Sequence, residues 1–231
     1  MLDKLSLLAS RLNTLAQLPV ARLEFRRELN PEHVASVHRY FTKPHPKYKV
    51  IQNKSVGAAL LDLRRFASRE EYLNSIQGKN SAGFHAKKAK SKGYRLVEID
   101  RNDYIDDIHA INISVETRQG RPMDAAYLQK ITHFDDEKNF KYFGVLNAEG
   151  RLTGYGDLGF YGNFAAFNRV IGVRNNHGMM HMMITEIVCQ AIEARTCNYI
   201  MYDTCFGASP GLLQFKEMLG FQPYRAKYSI Q

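Results

Sequence analysis

No run of about eighteen uninterrupted apolar residues occurs in the sequence, which excludes a membrane-spanning helix. The most Met-rich stretch, Gly178 to Ile192, is interrupted by His181, Thr185, Glu186 and Gln190. Cysteine is scarce: Cys189, Cys197 and Cys205 form an odd set without CxxC spacing. Neither a disulfide framework nor a zinc site follows, and reduced thiols with no bound metal are expected. No Walker loop, HExxH pair or Ser-His-Asp arrangement is present, so nucleotidase, zincin and hydrolase chemistry have no specific support. With Gly 16 and Pro 7 among 231 residues, fibrous and disordered classes fall away as well. The opening MLDKLSLLASRLNTLAQL sets Leu5, Leu8, Leu12, Leu15 and Leu18 at helical intervals among charges, unlike a secretory core. A cytoplasmic protein is expected.

What the chain does have is core-forming material and positive charge. Apolar residues make up 45%, with 13 Tyr and 13 Phe, enough for one sizeable domain or a domain with an extension. Lys and Arg number 32 against 23 Asp and Glu, a net charge of +9. That balance favours anionic partners such as nucleic acid, phosphorylated cofactors or acidic lipid. The densest charge lies in KNSAGFHAKKAKSKGY, where no acid occurs between Lys79 and Arg95. Its Lys87, Lys88, Lys90 and Lys92 form either a solvated helical face or an anion-binding surface.

Periodicity predicts helices up to about residue 40, the last over PEHVASVHRYF behind Asn30 as N-cap, ended by Pro44-His45-Pro46. Short strands are expected at YKVIQ and SVGAALLDL, then a helix over SREEYLNSI with Ser68 and Glu71 at capping-box spacing. From Tyr94 the pattern turns regular: a strand RLVEI, a helix capped by Asn102, and a second helix over DAAYLQKITHF. Three antiparallel strands follow, FKYFGVLN, RLTGYGDLGFYG and FAAFNRVIGV. A long helix MMHMMITEIVCQAIEAR, a strand CNYIMYD, a helix PGLLQFKEML between Pro210 and Gly220, and a last strand FQPYRAKYSI complete the order. The class is α/β (α+β), a mixed central sheet flanked by helices. Residues 1–93 are expected to form a helical and short-strand extension packed on a core of residues 94–231.

The order β-α-α-β-β-β-α-β-α-β from Tyr94, with VIGVRNNHGMMHMMITEIVCQAI, NYIMYD and GLLQFKEMLGFQP, resembles the Gcn5-related N-acetyltransferase (GNAT) superfamily. The resemblance implies a helix start at Val173 to Met180 that offers backbone N–H groups and a positive dipole end to a phosphate. In the acyl-CoA enzymes of that superfamily the loop reads Arg or Gln, two residues, Gly, one residue, Gly or Ala. Aligned on Gly178, this chain has Asn175 in the first place and Met180 in the last, and a Met side chain there would crowd a close-lying pyrophosphate. Many of those enzymes also carry a Tyr four residues before the final Gly-Phe; here the residue is Lys216. Asp203, then Phe215-Lys216 and Gly220-Phe221, are similar to the C-terminal half of the Fem-type aminoacyltransferases, and HAKKAKSKGY is similar to their Lys-rich helix. Those enzymes use the same fold, typically twice in one chain, to pass amino acids from aminoacyl-tRNA to an amine.

The resemblance therefore implies an acyltransferase that forms an amide on a small-molecule or peptide amine, with aminoacyl-tRNA as donor. An acyl-CoA-dependent N-acetyltransferase and a non-catalytic RNA-binding module of the same fold are the alternatives. No cofactor is bound; the activated donor is a co-substrate. Lys216 would polarise the reacting carbonyl, with Asp203, His181 and Tyr202 as further catalytic candidates. Val173, Arg174, Asn175, Asn176, His177, Gly178 and Phe215 would hold the donor or its phosphate. Glu116, Arg118, Arg121, Tyr155 and Asp157 would bind the acceptor, and Lys87, Lys88, Lys90 and Lys92 would contact RNA. Plain structural readings stand beside these: Lys216 as an exposed lysine of an amphipathic helix, His181 as a satisfied core histidine, Asp203 as a turn residue, Arg118 and Arg121 as a solvated turn. Proximity, a base and oxyanion stabilisation suffice for such a transfer, and Cys205 reads as a buried or loop thiol.

Overall fold

The structure, a computed structural model, describes residues 17–118 and 121–231, without the side chains of Arg118 and Arg121. The Leu5 to Leu15 periodicity lies outside the described residues. Strand β1 (Val20–Phe25) occupies a stretch where helix was expected. Its Ala21, Leu23 and Phe25 are buried in strict alternation, a period of two that fits a strand and not a helix. Helix α1 (Pro31–Thr42) starts where the sequence places it, with the Asn30 side chain accepting from the His33 N–H. YKVIQ forms no strand: the Ile51 carbonyl accepts from the His45 N–H and the segment turns back on itself. After β2 (Val56–Asp62), helix α2 (Arg69–Ser75) is capped as expected, Ser68 Oγ accepting from the Glu71 N–H, while the Glu71 carboxylate accepts from the Ala67 N–H at 2.6 Å.

Helix α3 (Ala82–Ser91), strand β3 (Arg95–Glu98) and helix α4 (Ile105–Ile113) follow. Asp100, not Asn102, caps the approach to α4, through a turn of 3-10 helix at Arg101–Tyr104. Asn102 instead clasps the Phe134 backbone, accepting from its N–H at 2.9 Å and donating to its carbonyl at 3.1 Å. A two-strand ribbon of β4 (Thr117–Arg118) and β5 (Arg121–Pro122) leads to α5 (Ala125–Leu128). The long second helix expected here is one turn, none of whose residues is buried, so no packed face sustains more. Strands β6 (Phe140–Leu146), β7 (Leu152–Phe160) and β8 (Phe164–Gly172), helix α6 (Met179–Ala194), strand β9 (Tyr199–Thr204), helix α7 (Pro210–Met218) and strand β10 (Gln222–Ile230) match the expected order.

One sheet runs β1-β10-β2-β9-β8-β7-β6-β3. Among the described residues, the segment before Tyr94 supplies two of its strands: β1 at the edge, and β2 inserted between β10 and β9. The outer edge of β1 is met by the β7–β8 turn, where the Glu24 N–H donates to Asn163 Oδ1 at 2.8 Å and Asn163 Nδ2 donates to the Arg22 carbonyl at 3.0 Å. Gly162 is required in that turn: its φ is +149° and a Cβ would stand 2.2 Å from the Glu24 oxygen.

Strands β8 and β9 run parallel but pair only over Phe164–Ala166 and Tyr199–Met201. Immediately beyond, β8 bulges against β7: Phe167 opposes Leu158 and Arg169 opposes Asp157, leaving Asn168 outside the ladder. The bulge bends β8 away, and the two strands open a V in the middle of the sheet. On one face α6 buries ten of its 16 residues and packs against α3, whose Ala82, Gly83, Ala86 and Ala89 make a small-residue face that admits it closely. The other face is divided. There α1 packs on β1, β2 and β10, α4 packs on β6 to β8, and the gap between them overlies the V.

Candidate active site at the splayed strands

On the divided face a cavity of about 630 Å³ reaches the V, walled by Tyr40 and Phe41 of α1, Asp124 and Tyr127 around α5, Arg169 of β8, and Asp203 and Lys216. Helix α7 opens with Pro210 behind Ser209, whose hydroxyl accepts from the Leu212 N–H. Leu212 and Lys216, one helical turn apart, therefore face the same cavity. Lys216 is 1% exposed, which overturns its reading as a solvated lysine. Its Nζ donates to the Thr204 carbonyl at 2.8 Å and lies 5.1 Å from the Tyr202 ring centroid. Burial pulls its pKa below the ordinary lysine value, and neighbouring Asp203 partly offsets the effect. Asp203 ends β9 in the left-handed region, at φ +54°, a conformation uncommon for a residue with a Cβ. Its carboxylate is ion-paired with Lys54 Nζ, which lines the same cavity.

A second cavity, about 790 Å³, opens on the α6 face and shares Val170, Tyr202 and Leu212 with the first. The two meet through the V. Val173, Arg174, Asn175, Asn176 and Gly178 rim it, joined by His85 and Lys88 from α3. The first-turn N–H groups of α6 have no acceptor within their own helix, and Gly178 before them offers no side-chain cap. Glycine is needed at 178 for packing as well as for its φ of +84°, because a Cβ would come within 2.3 Å of the His85 carbonyl oxygen. Met180 lies on the end of β8, its Sδ 2.6 Å from where a Cβ on Gly172 would sit. The His181 ring stacks on the His85 ring at 4.7 Å and meets the Phe215 ring at 4.6 Å in a tilted contact. Burial pushes its pKa down to about 4, so it is neutral near pH 7.

The structure thus gathers Lys216, Asp203 and Tyr202 on one cavity, and places His181 and Phe215 with the α6 turn on the other. Arg174 donates to the Thr117 carbonyl at 2.6 Å, and His177 Nδ1 meets the Tyr94 hydroxyl at 2.8 Å. Tyr155 stands apart from both cavities, buried, its hydroxyl donating to Asn112 Oδ1 at 2.7 Å. Asp157 is buried behind Arg169, with 3.8 Å between Oδ2 and Nε, and burial pushes its pKa up to about 6. Glu116 is exposed and lines neither cavity; the side chains of Arg118 and Arg121 lie outside the described residues. On α3, Lys88 donates to the Asn176 carbonyl at 2.8 Å, Lys90 pairs with Glu186 at 2.5 Å, and Lys87 and Lys92 are exposed. Arg169 and Lys54 were not singled out from the sequence. Lys54 carries no local signal, whereas Arg169 is hidden by a parity change at the bulge.

No protein-family model matches the chain, and no curated protein sequence matches it. Solved structures do. FemX superposes with a TM-score of 0.56 at 11% identity, covering 73% of this chain and 59% of its own. The C-terminal domain (DUF2156) of a putative lysylphosphatidylglycerol synthetase from Agrobacterium fabrum gives 0.49 at 13%, covering 72% and 57%. A tandem GNAT protein from the clavulanic acid biosynthesis pathway gives 0.46 at 17%, covering 75% and 51%. The fold is GNAT-like and related to that of the Fem-type transferases. The chain spans 59% of the FemX chain. No helix among the described residues is long and apolar enough to cross a membrane.

Proposed function

We propose that this chain forms amide bonds, carrying an aminoacyl group from a charged tRNA to an amine. The observation that carries the reading is a buried ammonium, Lys216, set where parallel strands part between two cavities. One of its N–H donors is engaged by Thr204; an ammonium has three, so the others can meet a carbonyl oxygen. The donor enters from the α6 side, its phosphates facing the first-turn N–H groups, Lys88 and Arg174. The acceptor enters between α1 and α5. Its amine nitrogen attacks the ester carbonyl and forms the C–N bond, while charge on the carbonyl oxygen collects at Lys216. The ester C–O bond then breaks and the ribose oxygen leaves, taking a proton from solvent. Asp203, on the same cavity wall, takes the proton that the amine sheds.

Two departures from the acyl-CoA pattern support the tRNA donor: Met180 fills the place of the second small loop residue, and Lys216 replaces the phenol that would protonate a thiolate. Such a donor places the reaction in the cytoplasm. Titrating the protein with bulk aminoacyl-tRNA and with acetyl-CoA at several salt concentrations tests the reading. RNA held by phosphate contacts must weaken steeply as salt rises, and labelled amino acid must move from tRNA to a soluble amine. Binding of acetyl-CoA with no RNA binding would replace the donor. RNA binding without transfer would reduce the chain to a binding module.

A further inference from the structure

The wall of the acceptor-side cavity holds a cation that alternation along β8 would hide. Phe167 and Val170 both face the α6 core although three positions separate them, because Asn168 bulges out of the ladder between Phe167 and Arg169. The parity change turns Arg169 and Ile171 to the opposite face, where Ile171 joins Tyr155 and Ile108 and Arg169 lines the cavity. Without the bulge, that guanidinium would point into the apolar layer under α6.

Arg169 differs from other arginines of the fold in what its donors do. Arg101 is held by the Asp135 carbonyl at 2.7 Å and by Asp136 Oδ1 at 2.8 Å. Arg64 is forked onto both oxygens of Asp62, at 2.9 and 2.8 Å. Arg169 has one ion pair, at 3.8 Å to Asp157, too long for a hydrogen bond, and its Cζ is 5.9 Å from the Tyr127 ring centroid. Among the described residues no acceptor engages its five N–H groups. The other charged groups on the cavity have contacts within hydrogen-bond reach: Lys54 with Asp203, one N–H of Lys216 with the Thr204 carbonyl, and Asp124 with the Ala126 N–H. Asp157, 2% exposed, anchors the guanidinium from behind without covering it.

We infer that the acceptor carries an anionic group, a carboxylate or a phosphate, close to its amine, and that Arg169 receives it in a two-point contact. The inference rests on the assignment of this cavity to the acceptor. A planar fork fits either anion bidentately, and holding the anion fixes where the amine points relative to Lys216. Asp157 acts as the positioning residue.

The test uses the full chain with ¹⁵N-labelled arginine and no donor, so failure of the tRNA reading leaves its outcome intact. Glycine, 2-aminoethyl phosphate and the neutral controls glycinamide and ethylamine are titrated while the Arg169 Nε–H resonance is followed, assigned through Arg169→Lys. Saturable shifts with an anionic amine and none with the neutral ones are expected, and whichever of glycine or aminoethyl phosphate binds tells carboxylate from phosphate. The variants lack that resonance and are titrated by calorimetry alongside the parent; Arg169→Lys should weaken that binding by about ten- to hundredfold, the worth of a charge-assisted contact. Arg151→Lys, on the exposed β6–β7 turn, should leave it unchanged. If charged and neutral amines bind alike, if none saturates, or if Arg169→Lys binds as tightly as the parent, the inference is wrong. Should Arg169→Lys fail to fold, the parent titrations and Arg169→Gln decide the question.

Discussion

Replacing Lys216 by Met separates a catalytic lysine from a structural one, because the two roles predict opposite balances of activity and stability. Met keeps most of the length and apolar stem of the side chain while deleting the ammonium. The deletion removes a 2.8 Å hydrogen bond and leaves the Thr204 carbonyl without it, a loss of about 1–3 kcal/mol. It also removes the cost of holding a charge at 1% exposure, which amounts to several kcal/mol in the opposite direction. The net change should stay within about 2 kcal/mol of the parent, or about 4–8 °C in Tm for a chain of this size. The pH dependence carries a second signature. Burial lowers the folded-state pKa of Lys216, so just below the ordinary lysine value the unfolded chain binds more protons than the folded one, and stability of the parent rises with pH there. Lys216→Met should lose that slope. Turnover should fall by about 10²–10³, the usual effect of removing one oxyanion donor, with donor affinity nearly unchanged. Single-turnover transfer assays beside urea melts at two pH values check this. Unchanged turnover, or destabilisation beyond about 4 kcal/mol, would refute the assignment.

Gly178→Ala should destabilise the chain by about 2 kcal/mol or more, since it forces a Cβ to 2.3 Å from the His85 oxygen at a φ of +84°; an unaltered urea midpoint would contradict the α3–α6 packing. His181 and Asp157 should act on acid stability with opposite signs. His181 is held near 4 against 6.5 unfolded, so the unfolded chain takes up the proton first and about 3 kcal/mol is lost as pH falls across that interval. Asp157 is held near 6 against 3.8, so the folded chain takes up the proton first and a similar amount is gained on acidification. His181→Phe should therefore make the protein relatively more stable at pH 4 than at pH 6.5, and Asp157→Asn relatively less; melts showing the same trend for both would contradict the burial assigned to them. Met180→Gly restores the second small residue of the α6 turn, and calorimetry should find acetyl-CoA affinity raised about tenfold, equivalent to about 1.4 kcal/mol. No gain would mean that Met180 is not what departs from a CoA site.

The local elements were legible wherever one signal dominated. Asn30 and Ser68 announce helix starts because a short polar side chain satisfies an N–H that the helix leaves open. The three antiparallel strands and the long α6 follow from periodicity, and the GNAT-like order follows from their succession. Legibility failed where the signal was brief or the packing partner remote. A six-residue strand with three inward side chains, β1, was masked by the Leu-rich helical pattern before it, and α5 stopped after one turn because nothing covers it.

The sequence by itself determined the starts of α1, α2 and α7, the succession of the main-sheet strands in the last 138 residues and the candidate lysine four places before Gly220. Only tertiary structure decided what those residues face. Whether a lysine on an amphipathic helix is wet or buried depends on which strands stand under it, and here the parting of β8 from β9 makes a cavity that takes Lys216 inward. The same bulge reverses the facing of Arg169, since one residue added to a pleated strand exchanges its two sides. Lys54 reaches Asp203 across 149 positions, a separation at which no local pattern carries information. Side-chain chemistry is written residue by residue, but direction is set by register, and register is a property of paired strands.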